Sequence, residues 1–178
     1  LEFRRVLFRS LLHPSLDEAA WRGGQALAPR LRKRAPWPAA ALSMRHDGAY
    51  WITGGWGALG LQVAQWLADR GAGLIVLSGR SAPSAQARAF VDSCAGRGVK
   101  VWLREADCSH AEAMMVLARE IEHGACPLRG IFHVAGEGGR VPADQLGLDD
   151  LKRVCRAKVE GAWNLHEASR DMALDYFV

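Results

Sequence analysis

The chain has 178 residues, 49% of them hydrophobic, and a formal net charge of +4 at pH 7. This length can bury one sizeable core, and no run of about eighteen apolar residues exists, so composition argues against a membrane span. Residues 1–48 hold nine Lys and Arg against four Asp and Glu while the remainder is nearly neutral, so no basic face of the kind that binds nucleic acid is expected.

The segment before Ala49 divides into distinct parts. Residues 1–10, LEFRRVLFRS, begin without methionine and resemble the conceptual translation of a sequencing adapter, so we interpret them as non-native. A targeting peptide is the alternative, but the segment lacks a long apolar stretch and a small-residue cleavage site. Residues 17–34 predict a β-hairpin around Gly23-Gly24, and the Pro- and Ala-rich residues 35–48 predict a linker.

A regular alternation of strands and helices begins at Ala49. Apolar and alternating segments predict strands at 49–53, 73–78, 99–107, 129–136 and 174–178. Amphipathic segments predict helices at 61–70, 84–98, 109–124 and 149–169. We expect N-caps at Ser84 and at Ser109, the latter in a capping box with Glu112. The alternation predicts an α/β fold with a doubly wound parallel sheet over residues 49–178.

The segment TGGWGALG, between the first predicted strand and helix of this region, predicts a phosphate-binding turn. Gly54, Gly57 and Gly60 lie three residues apart. Glycine allows the tight turn, lets the backbone approach a pyrophosphate and lets the helix pack on the strand. The free N–H groups at the helix start then face the phosphates. An ordinary strand–helix turn is the alternative, but the flanking elements favour a dinucleotide site.

Polar residues follow the next two predicted strands. In LSGRS, Arg80 with Ser78 or Ser81 offers partners for a 2′-phosphate where an NAD-binding protein usually has an acid, which favours NADP(H). A surface arginine in a strand–helix loop is the alternative. Asp107 ends the third strand, where its carboxylate can accept a hydrogen bond from the adenine amino group. It can equally cap the following helix, and the two roles are compatible.

A lysine interrupts the apolar face of the last predicted helix. Leu151, Cys155, Ala162 and Leu165 form one stripe, and Lys158 stands in the middle of it. Burying a lysine charge costs several kcal/mol unless it has a partner. Either its stem extends to the helix edge, or the ammonium points into a polar cavity beside the cofactor. In the cavity it would hold ribose hydroxyls and favour ionisation of a neighbouring phenol.

The cysteines give no indication of a disulfide framework or a metal site. The four, Cys94, Cys108, Cys126 and Cys155, are scattered without a CxxC pair, which is typical of reduced thiols in a cytoplasmic protein. His123 and Cys126 have the spacing of two metal ligands, but no second pair accompanies them, so we predict no metal.

Several motifs, taken in order, resemble one family: ITGGWGALG, LSGRSAPS, ADCS, LRGIFHVAG and RAKVEGAWNLHEASRDMALDYFV. They are similar to the ketoreductase domains of modular type I polyketide synthases, which belong to the short-chain dehydrogenase/reductase group with its Rossmann-like fold. The resemblance covers about residues 47–178, and residues 11–48 resemble the end of the structural subdomain that precedes the catalytic one. It implies that NADPH reduces a β-ketoacyl chain on an acyl carrier protein, beside neighbouring megasynthase domains.

The resemblance also implies roles for individual residues. The pyrophosphate would lie on Thr53, Gly54, Gly55, Trp56, Gly57, Leu59 and Gly60, and the 2′-phosphate on Ser78, Arg80 and Ser81. The adenine would contact Asp107 and Cys108, and the nicotinamide side would be lined by Ala135 and Gly136. Lys158 matches the active-site lysine of the family, which is also placed beside the cofactor.

Two departures from the family pattern bear on activity. The family's serine, tyrosine and asparagine would follow LDYFV, and neither Tyr50 nor Tyr176 is followed four residues later by lysine or asparagine. We therefore expect a piece that ends at the start of the fifth strand, carries the cofactor half and is itself inactive. Gly138, Gly139 and Arg140 stand where one stereochemical type has Leu-Asp-Asp, which weakens assignment to that type.

Two alternatives remain at this point. The chain could come from the reductase of a fatty acid synthase-like or hybrid megasynthase. It could also be a non-catalytic relative that binds NADP(H) or only supports its neighbours.

Overall fold

The computed structural model describes residues 20–23, 25–33, 44–138, 141–142 and 144–178, in two compact units, Leu1–Ala40 and Ala41–Val178. The first unit contains an antiparallel hairpin of β1 (Ala20–Arg22) and β2 (Gln25–Leu27). Gly23, with φ 55°, lies in its turn. The structure thus contains the hairpin predicted within residues 17–34. The predicted adapter-derived segment at residues 1–10 and most of the predicted linker lie outside the described residues.

The second unit alternates strands and helices along the chain. Its elements are β3 (Ala49–Thr53), α1 (Ala58–Asp69), β4 (Leu74–Gly79), α2 (Ala85–Cys94), β5 (Lys100–Glu105), α3 (Ala111–Glu122), β6 (Leu128–His133), α4 (Leu148–Cys155), a π-helical turn (Arg156–Gly161), α5 (Ala162–Ser169) and β7 (Tyr176–Phe177). The strands form one five-stranded sheet in the order β5-β4-β3-β6-β7, and every neighbouring pair is parallel. The predicted doubly wound parallel sheet is therefore confirmed.

Strand β3 is the centre of the core, and all five of its residues are buried. Its side chains alternate between the two faces of the sheet. Tyr50 and Ile52 pack with α1 and α2, whereas Ala49 and Trp51 pack with α3 and α5. Helices on both faces explain why the first strands are almost wholly apolar, as parallel sheets covered on both sides usually are.

The predicted N-cap is observed for α2 but not for α3. The Ser84 side chain accepts a hydrogen bond from the Ala87 amide at 3.2 Å, so the predicted N-cap of α2 is confirmed. The predicted capping box of Ser109 with Glu112 is wrong, because α3 begins at Ala111 and its N-cap is His110. The Ser109 hydroxyl instead donates to Asp107 at 2.9 Å, in the turn that precedes the helix.

The last predicted helix is interrupted by the π-helical turn. A π turn has i→i+5 hydrogen bonds, so it shifts the phase of the residues before it relative to those after it. Leu165 is fully buried, but Leu151 is 48% exposed. The predicted stripe that joined these two leucines on one buried face is therefore wrong in its first half.

The residues just before β3 pack against the core of the second unit. Met44 is 6% exposed and belongs to the same cluster as Tyr50, and its amide donates to the Arg70 carbonyl at 3.1 Å. The Tyr50 hydroxyl accepts a hydrogen bond from the Arg45 amide at 2.7 Å. The end of the predicted linker is thus part of this unit. In the described ranges, no helix has the length and apolarity that crossing a membrane requires.

The phase shift predicts that the two leucines on either side of the π turn contribute very differently to stability. Leu165→Ala should lower the free energy of unfolding by about 2–5 kcal/mol, because it empties a fully buried site. Leu151→Ala, the matched control, should change it by about 0.5 kcal/mol or less. Urea unfolding followed by circular dichroism measures both. Equal losses in the two variants would contradict the interrupted stripe.

Candidate functional site

A cavity of about 410 Å³ opens at the carboxyl ends of the central strands. The chain leaves β3 towards β4 on one side and later returns to β6 on the other, so the sheet has its topological switch point here. Crevices at such points are where open α/β sheets bind ligands. The lining comes from the loops after β3, β4, β5 and β6 and from the π turn, and it comprises Thr53, Gly54, Trp56, Gly57, Gly79, Arg80, Ser81, Ala106, Asp107, Cys108, Val134, Ala135, Gly136, Glu137, Arg153, Arg156 and Ala157.

The glycine turn brings three stretches of backbone into contact. Gly54 has φ 65°, and a Cβ there would lie 2.8 Å from the Ala135 Cα in the loop after β6. A Cβ at Gly55 would lie 2.7 Å from the Leu77 Cβ on β4, and one at Gly60 would collide with the Gly54 carbonyl oxygen. Two of the predicted residues, Gly55 and Gly60, therefore shape the turn without lining the cavity.

The start of α1 leaves its amides open. Its N-cap, Gly57, has no side chain, no side-chain hydrogen bond caps the helix, and no acidic residue stands in its first turn. The first N–H groups of the helix therefore remain available to an anion, and the helix dipole favours negative charge there. Leu59, which the resemblance placed in the site, has a 59% exposed side chain and does not line the cavity.

Trp56 forms the wall between the glycine turn and the loop after β4. Its indole ring lies directly on Gly79, where a Cβ would come within 2.6 Å of the ring. The indole N–H donates to the Ser81 hydroxyl at 3.4 Å. Ser81 and Arg80, both predicted for the site, line the cavity at this point.

Ser78 is a correction to the predicted site. Its side chain is 1% exposed, and its hydroxyl accepts a hydrogen bond from the Trp51 indole N–H at 2.8 Å. Strand alternation places Ser78 on the same face as Val76 and Leu74, which pack in the buried cluster that contains Trp51. It therefore belongs to the core and not to the cavity lining.

Asp107 and Cys108, which the resemblance places beside the adenine, both line the cavity. Asp107 Oδ1 accepts the amide and the hydroxyl of Ser109, each at 2.9 Å. Burial opposes ionisation of Asp107, but these hydrogen bonds prevail and hold its pKa below the usual value. Burial, together with the Asp107 charge, raises the pKa of the Cys108 thiol, so the thiol stays protonated at neutral pH.

A half-buried histidine connects the glycine turn to the π turn. His133 Nδ1 lies 2.7 Å from Thr53 Oγ1, and its Nε2 lies 2.9 Å from the Ala157 carbonyl oxygen. A carbonyl can only accept, so Nε2 carries the proton and Nδ1 accepts from the Thr53 hydroxyl. Burial lowers the pKa of His133, although the hydrogen bond to Ala157 acts in the opposite direction. Sequence reasoning missed His133, although a polar residue at the end of a buried strand was a signal that could have found it.

The π turn carries Lys158 next to the loop after β6. A Cβ at Gly136 would lie 3.3 Å from Lys158 Cε, so the lysine stem runs alongside this glycine. Lys158 is exposed and lines a second hollow of about 410 Å³, whose wall of Ala135, Gly136 and Glu137 is shared with the main cavity. The lysine thus lies at the rim of the site. Gly138 lines the same hollow, and Gly139 and Arg140 lie outside the described residues.

Charged residues that sequence reasoning missed stand at the mouth of the cavity. Glu137 Oε1 lies 2.5 Å from Arg80 Nη2, and Glu137 Oε2 lies 3.4 Å from Arg153 Nε. Arg153 also binds Asp150 at 2.8 Å. The sequence shows only an isolated acid between glycines, in AGEGG, and nothing local connects it to either arginine.

The described ranges contain no group of three His, Cys, Asp or Glu side chains placed to hold a metal ion. His123 and Cys126, which have the sequence spacing of two metal ligands, therefore do not belong to such a group. Cys126 is one of four cysteines, all with free thiols.

Comparison with known proteins links this site to one group. The model of the KR domain family matches residues 48–178. One component protein of the phenolphthiocerol/phthiocerol polyketide synthase of Mycobacterium tuberculosis is 38% identical over 136 residues, which are 74% of this chain and 6% of that protein. Another component protein of the same synthase, from the same species, is 36% identical over 192 aligned residues, covering 99% of this chain and 10% of that protein.

Solved structures give the same result. A structure of A-type ketoreductases from a modular polyketide synthase has a TM-score of 0.77 at 34% identity, covering 92% of this chain and 35% of that chain. A ketoreductase domain from the bacillaene assembly line has a TM-score of 0.80 at 29% identity, covering 99% of this chain and 41% of that chain. The chain thus spans less than half of these structures and about a tenth or less of the curated relatives.

The close backbone contacts predict that one glycine of the turn tolerates no side chain. Gly60→Ala should lower the free energy of unfolding by about 1–3 kcal/mol, because the new Cβ forces the turn apart. Gly96→Ala is the control, since a Cβ at Gly96 has nothing within 4 Å. It should leave stability unchanged or raise it by up to about 1 kcal/mol. Thermal unfolding compares the two, and an unaffected Gly60→Ala variant would refute the packing argument.

The half-buried His133 predicts a pH dependence of stability. The pKa of His133 is lower in the folded chain than the unfolded value of about 6.5, so the unfolded state binds the proton first. Stability from the neutral ring is therefore present above about pH 6.5 and is lost as the pH falls towards the folded pKa. The wild type should lose stability over this interval.

His133→Gln should make this part of the pH profile flatter, because glutamine does not titrate. His46→Gln, at an exposed turn residue, is the control and should keep the wild-type slope. Urea unfolding at a series of pH values between 5 and 8 measures the slopes. A slope that is unchanged in His133→Gln would show that another group is responsible.

Proposed function

The chain belongs to the KR domain family of modular polyketide synthases, and we propose that it binds NADPH for reduction of a β-ketoacyl chain carried on an acyl carrier protein. The membership confirms the resemblance seen in the motifs. The observation that carries the proposal is the cavity itself, which joins a glycine turn, an open helix start and Arg80 along one crevice.

The residues present fit a phosphorylated nicotinamide dinucleotide. A Cβ at Gly54 or Gly60 would fill the space where backbone meets backbone, so the turn is shaped for close approach by a pyrophosphate. Arg80 and Ser81 would hold the 2′-phosphate, because a guanidinium pairs with phosphate through two parallel hydrogen bonds. Asp107 would accept from the adenine amino group.

The nicotinamide end would lie along the wall formed by Ala135 and Gly136, beside the Lys158 stem. When bound, NADPH supplies the hydride. The Lys158 ammonium would bind the ribose hydroxyls and lower the pKa of a neighbouring phenol, because a nearby positive charge favours the phenolate. His133 would hold the turn that carries this lysine through its hydrogen bond to the Ala157 carbonyl.

The proton donor of the proposed reaction would come from elsewhere than the described cavity. Tyr50 is fully buried and hydrogen-bonded to Arg45, and Tyr176 is half-buried on β7. Neither lines the cavity. We therefore assign cofactor binding and the lysine to this chain, and we propose that turnover requires the serine, tyrosine and asparagine that the family supplies.

The partners follow from the family. The curated relatives are many times longer than this chain, so we propose that the chain works beside neighbouring domains of a megasynthase and receives its substrate from an acyl carrier protein. The free thiols suit the cytoplasm, where cysteines stay reduced.

The preference for NADPH over NADH tests the proposal directly. Arg80→Ala should raise the Kd for NADPH about tenfold or more, since a hydrogen bond to a charged group is worth about 1.5–3 kcal/mol. It should leave the Kd for NADH unchanged. Fluorescence titration with both cofactors measures this, and Arg88→Ala, an exposed arginine on α2, is the control. A wild type that binds NADH as tightly as NADPH would contradict the 2′-phosphate site, and one that binds neither would contradict the proposed function.

A further inference from the structure

An ion pair connects the two sides of the cavity. Arg80 follows β4 and Glu137 follows β6, and these strands flank β3 on opposite sides. The 2.5 Å contact between Arg80 Nη2 and Glu137 Oε1 therefore crosses the carboxyl end of β3, where the glycine turn lies. Both residues line the main cavity, so the pair stands where a dinucleotide would have to lie.

Glu137 has a second partner, Arg153. Its other carboxylate oxygen lies 3.4 Å from Arg153 Nε, and Arg153 is held in turn by Asp150. The Glu137 side chain is 29% exposed, whereas Arg80 and Arg153 are 67% and 54% exposed. The Glu137 carboxylate thus contacts two arginines. It can release either one while the other still balances its negative charge.

The pair between Arg80 and Glu137 contributes little to the fold. Solvent-exposed ion pairs are worth at most about 1 kcal/mol, because water screens them and two long side chains must be ordered. Such a pair opens readily when a stronger anion arrives. A phosphate carries nearly twice the charge of a carboxylate at pH 7 and offers three acceptor oxygens.

We propose that Glu137 competes with the 2′-phosphate of the cofactor for Arg80, and so determines how strongly the site prefers a phosphorylated cofactor. This rests on the proposed function. Without cofactor, Glu137 occupies the guanidinium. When the phosphorylated cofactor binds, the phosphate takes Arg80 and Glu137 keeps Arg153. A cofactor without the 2′-phosphate does not bind Arg80, so the ion pair between Arg80 and Glu137 stays in place.

The adenosine end of the cofactor, used alone, isolates this competition. The probes are 2′,5′-ADP, which carries the 2′-phosphate, and 5′-AMP, which lacks it. In Glu137→Gln the competing charge is gone, so the Kd for 2′,5′-ADP should fall about two- to fivefold, the range that an exposed ion pair can supply. The Kd for 5′-AMP should stay the same. Isothermal titration calorimetry at constant ionic strength measures both.

A matched control separates competition from a change in net charge. Glu167→Gln removes the same charge from α5, where Glu167 forms an exposed ion pair with Arg170 outside the cavity lining. It should leave both Kd values at the wild-type level. Thermal unfolding of each variant checks that the fold is intact.

A second variant predicts an effect of opposite sign. Arg153→Ala removes the alternative partner of Glu137, which should then hold Arg80 more tightly and weaken 2′,5′-ADP binding. This loss should disappear in Glu137→Gln/Arg153→Ala, because the effect passes through Glu137. A loss that persists in the double variant would mean that Arg153 contacts the phosphate itself and would overturn this part of the proposal.

The outcomes separate this inference from the proposed function. If the wild type binds neither nucleotide, the cofactor site itself is wrong and the inference falls with it. If the wild type binds 2′,5′-ADP but Glu137→Gln binds it equally or more weakly, Glu137 does not compete and only the inference is overturned. An equal gain for both nucleotides would overturn it as well, since Glu137 would then act as a barrier to any ligand.

Discussion

The turn at the end of strand β3 depends on segments of the chain that can approach one another only because glycines carry no side chain there. Gly54 faces the loop after β6, Gly55 faces β4, and Gly60 closes the first turn of α1 against the turn itself. The turn beside the cavity is therefore closely packed backbone, and the N–H groups that it leaves open are those at the start of α1. A parallel sheet supplies the rigidity that this requires, since β3 is buried on both faces and paired along its whole length with β4 and β6.

Hydrogen bonds of His133 connect the glycine turn after β3 to the π turn, which forms another part of the cavity wall. His133 accepts a hydrogen bond from the Thr53 hydroxyl on Nδ1 and donates one from Nε2 to the Ala157 carbonyl, in the π turn. Gly161 brings the same turn close, because a Cβ there would lie 2.7 Å from Cys108 Sγ. Irregular backbone is tolerated near a site when its polar groups find partners, and here a carbonyl of the π turn finds one in a side chain from the sheet.

How much the sequence revealed depends on whether a feature is local. Hydrophobic periodicity and the spacing of glycines predicted the parallel sheet and the turn, because both depend on residues that are close in the chain. Strand alternation could also have placed Ser78 in the core, beside Val76. The π turn was not predicted, because an apolar stripe with a period of 3.6 residues fits one continuous α-helix equally well. The pairing of Arg80 with Glu137 joins loops far apart in the chain, and no local pattern encodes it.

The contact between Trp56 and Gly79 has a consequence for how this family can diverge. The indole ring lies so close to the Gly79 Cα that any side chain at residue 79 must displace it. A relative with a larger residue at position 79 therefore needs a smaller residue at position 56, and the larger residue is tolerated only when both changes occur. Across homologues these two positions should covary, although Trp56 lies in the turn after β3, Gly79 ends β4, and the two are 23 residues apart in the chain.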